Sequence, residues 1–433
     1  MKSRTKKHDL KLIVQPIKDD IQECTEQVRL NPKSERAYTR RSYAYMRLAD
    51  VYVRFDDREL ADENLLLALD DCDKLLELST GDSSVHINHG LIKEKMANVK
   101  VDNGDVEGAT FLLKEAIQSH TKAIELEGEV ASTYYIRGNV RQSLAYLERK
   151  LSNVKSAEEL TESGIDDYNI AVKLKDRNAY ASRAAARILL ALHRRRNNST
   201  HDATDLIEKA ISDYDQAINY EVDKPKLFYL RAEARAMLAE LRHKDSRLND
   251  LSGLIKLAIA DYTQELEDDP QFFYAFVGIA SVMYLSADAE FCRGNFTDAK
   301  DIIKDAEVAC KNALKLAPRS VSALYESAYL TFLGAAIAEK EQDMPRACKL
   351  LKATISSWDK AIKLDPNSHN LKDRRHSAQA ALDELQEEIG QSKALNASTS
   401  QGDKDAKTTK KTGKVSIDEL RKSLEIDDPK TFH

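Results

Sequence analysis

Fourteen glycines and eight prolines in 433 residues leave few places where this chain can turn sharply. So small a supply excludes turn-rich β-sandwich architectures, and points to long elements. The five cysteines, Cys24, Cys72, Cys292, Cys310 and Cys348, form no C-x-x-C pair, and Met1 to Lys18 holds no apolar signal core. A disulfide scaffold is thereby excluded, and a reducing compartment, cytoplasmic or nuclear, is expected. No apolar run approaches about 18 residues, so no membrane span is expected. There is no G-x-x-x-x-G-K-[S/T] loop, no H-E-x-x-H and no Gly-rich strand-to-helix turn, so neither an enzyme nor a cofactor is expected. What remains is 42% hydrophobic and 32% charged residues, enough to bury a core and too apolar for general disorder.

The chain repeats itself. Ile165-Asp-Asp-Tyr-Asn-Ile-Ala-Val-Lys-Leu174 and Ile355-Ser-Ser-Trp-Asp-Lys-Ala-Ile-Lys-Leu364 share one pattern, and Val28, Leu76, Ile124, Val172, Ile218, Leu266, Leu314 and Ile362 mark it at steps of 48 residues with a single 46. A second ladder, Tyr38, His86, Tyr134, Tyr180, Phe228, Phe276 and Leu324, keeps the same steps, each member followed four residues later by a small one, from Ser42 to Ala328. The two missing residues therefore fall between Val172 and Tyr180, in a connecting loop that tolerates shortening. Each period holds two stretches with apolar residues at i, i+3, i+4 and i+7, so each unit is a helical hairpin. Pro32, Pro270, Pro318 and Pro366 share one register at hairpin junctions, where a residue without an amide donor resets the chain.

The segments Ala179-Tyr-Ala-Ser-Arg-Ala-Ala-Ala186, Tyr134-Tyr-Ile-Arg-Gly-Asn139 and Ala210-Ile-Ser-Asp-Tyr-Asp-Gln-Ala-Ile218 resemble tetratricopeptide repeats, and the resemblance runs from about Ile17 to Leu385. It implies an all-α, right-handed solenoid of stacked antiparallel hairpins. Tetratricopeptide units are about 34 residues long, and the 14 extra residues here lie between the small residue and the second-helix Ala or Leu, as between Ser42 and Ala68. Seven residues added to each arm make roughly two turns, which keeps the facing surfaces and gives helices of about 20 to 22 residues. Seven hairpins and a helix at each end are expected over residues 17–390, preceded by a basic segment, 1–16, and followed by a linker, 391–414, and a tail, 415–433.

Several positions are candidates for more than packing. Cys24, Cys72 and Cys310 share a register with His120, Tyr168, Tyr214, Tyr262 and Trp358, which marks them as core residues. His86, His89, His120 and Cys72 raise a Cys/His metal site as the minor alternative, and no metal is expected. Arg41, Arg137, Arg183 and Arg231 recur in one register, and Glu23, Asp71, Asp167, Asp213 and Asp261 in another; bidentate Arg-carboxylate pairs between helices are the expected reading. The resemblance implies groove-lining residues on first helices: Tyr135, Asn139, Gln142, Ser182 and Lys226 in the middle units, and Tyr229, Tyr274, Tyr284, Tyr325, Tyr329 and Phe332 in the later ones. A ribbon of such aromatics suits an apolar peptide or helix, although longer helices could equally bury it. The chaperone-tail clamp of some tetratricopeptide proteins is disfavoured, because Tyr135, Ser182 and Leu230 stand where it needs Lys, Asn or Arg.

The ends differ from the body. Residues 1–16 carry a net +4 and residues 391–433 a net +2, which leaves −12 on the body and disfavours a phosphate backbone as partner. Ser416-Ile-Asp-Glu419 reads as a capping box with Val415 and Leu420 as a staple, and Ile417, Leu420 and Leu424 share one face. So short a helix needs a surface to form on, either a partner or this chain's own groove. A non-enzymatic scaffold or adaptor for protein partners is the leading expectation. The alternatives are a solenoid RNA-binding protein and an enzyme regulator with a self-docking tail helix.

Overall fold

The computed structural model describes residues 2–197, 199–223, 225–244, 251–399, 416–418 and 420, with side chains described from residue 10 to residue 392 and in the tail. Among them are sixteen long helices and no strand. They form two compact units, Met1–Lys224 and Pro225–His433.

In the first unit, α1 (Lys2–Leu30) precedes four hairpins: α2 (Glu35–Arg54) with α3 (Arg58–Leu78), α4 (Ser83–Asp102) with α5 (Val106–Glu127), α6 (Ala131–Lys150) with α7 (Val154–Lys173), and α8 (Asn178–Arg196) with α9 (Thr200–Asn219). The second unit holds α10 (Leu227–Lys244) with α11 (Leu251–Asp268), α12 (Phe273–Cys292) with α13 (Phe296–Leu316), and α14 (Val321–Lys340) with α15 (Met344–Leu364), closed by α16 (His369–Thr399). The hairpin arms are 18 to 22 residues long, so the 14 extra residues per unit are helix rather than loop. The fold is an all-α stack of tetratricopeptide-like hairpins. Two expected boundaries move: α1 begins at Lys2, inside the basic segment, and α16 runs to Thr399, into the expected linker. The rest of that linker lies outside the described residues.

The inner turn of five of the hairpins shows how the chain manages with so little glycine. Asp56, Gly104, Ser152, Gly294 and Gln342, in one register, all have positive φ. Beyond each, an amide closes back on the carbonyl five residues earlier: Asp57 on Tyr52, Asp105 on Lys100, Asn153 on Glu148, Asn295 on Glu290 and Asp343 on Ala338, at 2.8–2.9 Å. That is the 6→1 bond of a left-handed helix terminus. The same residue then starts the next helix: the Asp57, Asp105 and Asp343 carboxylates accept from the amides of Leu60, Gly108 and Arg346. One short polar side chain thus ends one helix and caps the next, a double duty for which Asp and Asn are suited.

First helices of adjacent hairpins touch one another, α6 with α8 in the first unit, α10 with α12 and α12 with α14 in the second, and so share one face within each unit. By length and composition alone α12 and α14 are long and apolar enough to cross a membrane, and both are largely buried within the second unit. Helices apolar on most sides belong to a core as readily as to a bilayer.

Candidate functional site: an aromatic groove in the second unit

The arginine ladder is present as expected. Arg41, Arg137, Arg183 and Arg231 each grip the aspartate 30 residues on, namely Asp71, Asp167, Asp213 and Asp261, through Nε at 2.8–3.0 Å and a terminal nitrogen at 2.6 Å. The other terminal nitrogen of three of them reaches the preceding hairpin or cap, on Thr25, Thr121 and Asn169. Each of those three rungs therefore ties three helices. A second arginine one turn on joins three rungs, Arg141, Arg187 and Arg235, at 2.5–2.6 Å. Glu23, in the acidic register, pairs instead with Arg40, which lies outside the arginine register. Where the ladder skips a rung, His89 Nδ1 lies 2.8 Å from Ser119 Oγ, the same 30-residue step in neutral form.

Of the cysteine and histidine candidates, Cys24, Cys72, Cys310 and His120 are buried packing groups, whereas His86 and His89 are half-buried. Cys24, Cys72 and Cys310 are buried, and burial pushes the Cys72 thiol up to about 12, which suits an inert core thiol. His120 lies fully buried across Gly90 with neither ring nitrogen hydrogen-bonded. Burial together with Arg137 and His89 lowers its pKa to about 4. Among the described residues no three His, Cys, Asp or Glu groups come together as metal ligands.

Of the aromatic ribbon expected on the first helices, only part is open. In the first unit the Tyr135 ring leans on Tyr168 at 6.2 Å, Asn139 accepts from the Tyr168 hydroxyl at 2.8 Å, Gln142 donates to the Thr161 carbonyl at 3.2 Å, and Ser182 is buried. The first three serve their own hairpin. In the second unit Lys226 is tied to Glu265 at 3.0 Å and Asp269 at 2.9 Å. Tyr284, Tyr329 and Phe332 are buried, with Tyr284 edge-on to Tyr329 and Tyr329 edge-on to Trp358. The long helices bury them because α14 has neighbours on several sides.

Tyr229, Tyr274 and Tyr325 remain, and they line one groove of about 940 Å³. It runs along the first-helix face from α10 across the N-terminal halves of α12 and α14 to the start of α16. Its floor holds Tyr262 and Gly278, and Pro318, Arg319, Ser322, Glu326 and Asp365 border it. Glu233 also lines it and accepts from the Tyr262 hydroxyl at 2.6 Å. Glu233 was legible in principle, since Asn139 holds the same register and accepts from Tyr168, again 29 residues on.

Gly278 makes this floor. A Cβ there would stand 2.3 Å from Tyr262 Cζ and 2.6 Å from its hydroxyl, and Tyr262 is fully buried with no room to yield. Gly278→Ala is expected to cost about 1–3 kcal/mol through overpacking, more than the helix propensity gained. Thermal unfolding checks this: an unchanged or raised melting temperature would show that the tyrosine shifts freely.

The tail docks elsewhere. Ile417 is 2% exposed and belongs to the apolar core of the second unit, against which Leu420 also packs. The Ile417 amide donates to Glu339 at 3.1 Å, Asp418 lies 3.7 Å from Lys340 Nζ, and Leu420 N–H closes a turn on Ser416. This is the C-terminal end of α14, whereas the groove borders its N-terminal half. Val415, Glu419 and Leu424 lie outside the described residues.

No family model and no curated protein matches this sequence. Solved structures do. BtubC (BKLC) from P. vanneervenii is 15% identical, with 59% of this chain and 91% of that chain covered at a TM-score of 0.45. The S. pombe nuclear import adaptor Nro1 is 14% identical, covering 66% and 100% at 0.46. A putative kinesin light chain with TPR-like repeats from Podosopora anserina is 20% identical, covering 53% and 97% at 0.36.

Proposed function

We propose that this protein is a non-enzymatic interaction scaffold whose second unit holds a peptide or helical segment of a protein partner. The observation that carries the reading is the groove itself, wide enough for side chains and lined by Tyr229, Tyr274 and Tyr325 on three successive first helices. Tyrosines supply contact area at small entropic cost and a polar tip for hydrogen bonding. Acidic groups at the groove and a body of net −12 favour this over the RNA-binding alternative. In the enzyme-regulator alternative a tail helix would block the groove by sitting in it, and the described tail residues sit at the other end of α14. Five free thiols suit a reducing compartment.

Selection from a random displayed-peptide library on the full chain, followed by anisotropy with a recovered peptide, tests the reading. Ser322→Trp, which fills the groove from a bordering position, is expected to weaken binding at least about tenfold, a loss of about 1.4 kcal/mol, with melting unchanged. Recovered peptides that bind wild type, Ser322→Trp and Tyr274→Ala alike would place binding elsewhere and end the proposal.

A further inference from the structure

We infer that the tip where α6 and α8 end, in the first unit, binds an acidic segment of a protein partner, taking an Asp or Glu carboxylate between Arg149 and Arg196.

Basic residues close both helices: Arg149 and Lys150 in α6, and His193, Arg194, Arg195 and Arg196 in α8. A helix C-terminus favours cations, which accounts for the residue types. It does not account for how two of them are left. Arg194 is braced against α7 by Glu158 at 2.8 Å and Glu162 at 2.5 Å. Arg149 and Arg196 meet no carboxylate among the described residues, unlike every arginine of the ladder. Glu148, the acid next to Arg149, is instead held by Lys114 at 3.0 Å and Asn153 at 2.7 Å. Arg196 is exposed, whereas Arg149 is half-buried and its Nε is enclosed without a hydrogen-bond partner. Burial and the Arg196 guanidinium both disfavour the charge on Arg149, and no carboxylate offsets them. A partly buried cation beside a like charge is costly to keep unless a counter-charge joins it.

His193 points the same way. Its place in the repeat is filled elsewhere by Val51, Val99, Leu147, Leu241, Ala289 and Ile337, all buried. His193 is 5% exposed, yet its ring has no hydrogen-bond partner among the described residues. Packing alone would be served better by another leucine, which has no polar group to bury. Arg149, Arg194 and Arg196 oppose protonation of His193, and Glu158, already held by Arg194, favours it. A carboxylate arriving here relieves the repulsion between Arg149 and Arg196 and gains charge-assisted hydrogen bonds from both. Two uncompensated arginines on a body of net −12 suit a short acidic peptide, whereas a nucleic acid needs a track of phosphate contacts.

Fluorescently labelled hexaglutamate and hexalysine are titrated with the full-length protein and followed by anisotropy. Hexaglutamate is expected to bind at least about tenfold more tightly than hexalysine at low salt, and to weaken as salt rises. Arg149→Gln and Arg196→Gln are each expected to weaken hexaglutamate about fivefold. Arg47→Gln, which removes an exposed arginine of α2, is expected to change it less than about twofold. Melting of Arg149→Gln is expected to be unchanged or raised, because an uncompensated charge is removed; a merely structural arginine would lower it. Absence of hexaglutamate binding ends the proposal, as does equal affinity for wild type, Arg149→Gln and Arg196→Gln, the result that binding to the basic ends of the chain gives. An equal loss in Arg47→Gln also ends it. Displacement of hexaglutamate by equimolar inorganic phosphate would make this a small-anion site, and tighter binding of oligothymidylate, lost in both variants, a nucleic-acid site; either overturns the acidic segment. Should Arg149→Gln not fold, the exposed Arg196→Gln decides alone.

Discussion

Asp213→Asn is expected to destabilise the α8–α9 hairpin by about 3 kcal/mol, at the lower end of the usual cost of breaking a buried ion pair. Asp213 receives Arg183 through two bonds of 2.9 and 2.6 Å and Arg187 through a third of 2.5 Å, so its loss strands two guanidinium groups. Their side chains are only 12% and 14% exposed, which keeps enough contact with water to hold the cost below the maximum. Arg183 also reaches Asn169 on α7 at 2.9 Å and lies over the Tyr180 ring. The damage is therefore expected to spread to the α7–α8 seam. Arg183→Met leaves Asp213 paired with Arg187 and is expected to cost less, about 1–2 kcal/mol. Asp205→Asn, which breaks the exposed pair with Lys209 and leaves the Arg187–Asp213 bond in place, should change stability by less than about 0.5 kcal/mol. A stack of repeats does not unfold as one unit, so native-state hydrogen exchange resolved by helix is the measurement. If protection in α8 and α9 fell no further for Asp213→Asn than for Asp205→Asn, the ladder would not be structural.

Periodicity carried most of this architecture, because a 48-residue ladder of core residues constrains every helix at once. The arms of about 20 to 22 residues that it implies are observed at 18 to 22. Turn chemistry was harder to read. Glycine is the usual marker of a left-handed residue, and Asp56, Ser152 and Gln342 take that conformation without it. The groove was legible only in part, for a geometric reason. Tyr274, Tyr284, Tyr325, Tyr329 and Phe332 are spaced alike, yet a first helix that touches first helices on either side and its own second helix leaves only a narrow open stripe. Tyr284 and Tyr329 point into those seams, whereas Tyr274 and Tyr325 lie nearer the helix starts, where the stripe is open. The tail's place was not legible, since nothing in the spacing of Ile417 and Leu420 designates Glu339 as partner.

The His120 register gives the remaining large effect, a loss of stability in acid. Other units fill this place with Tyr168, Tyr214, Tyr262 or Trp358, all almost fully buried. Here an imidazole lies across Gly90 as the Tyr168 ring lies across Gly138. His120 is enclosed by burial, by Arg137 and by His89, and each of these disfavours its protonated form, taking its pKa to about 4. An unfolded histidine titrates near 6.5. Between those values the unfolded chain binds more protons than the folded one, so stability falls as pH falls through that window. Above about 6.5 both states are neutral and the contribution is complete; below about 4 both are protonated and nothing further is lost. The window corresponds to about 3 kcal/mol at about 1.36 kcal/mol per unit. His120→Phe keeps an aromatic ring over Gly90, removes two buried nitrogens that lack hydrogen bonds, and has nothing to protonate. Exchange protection of α4 and α5 measured at pH 7 and pH 4.5 separates the cases. The wild type is expected to lose about 2–3 kcal/mol more than His120→Phe between the two values, carboxylate titration being common to both. An equal loss would mean that protonated His120 finds a partner in the folded hairpin.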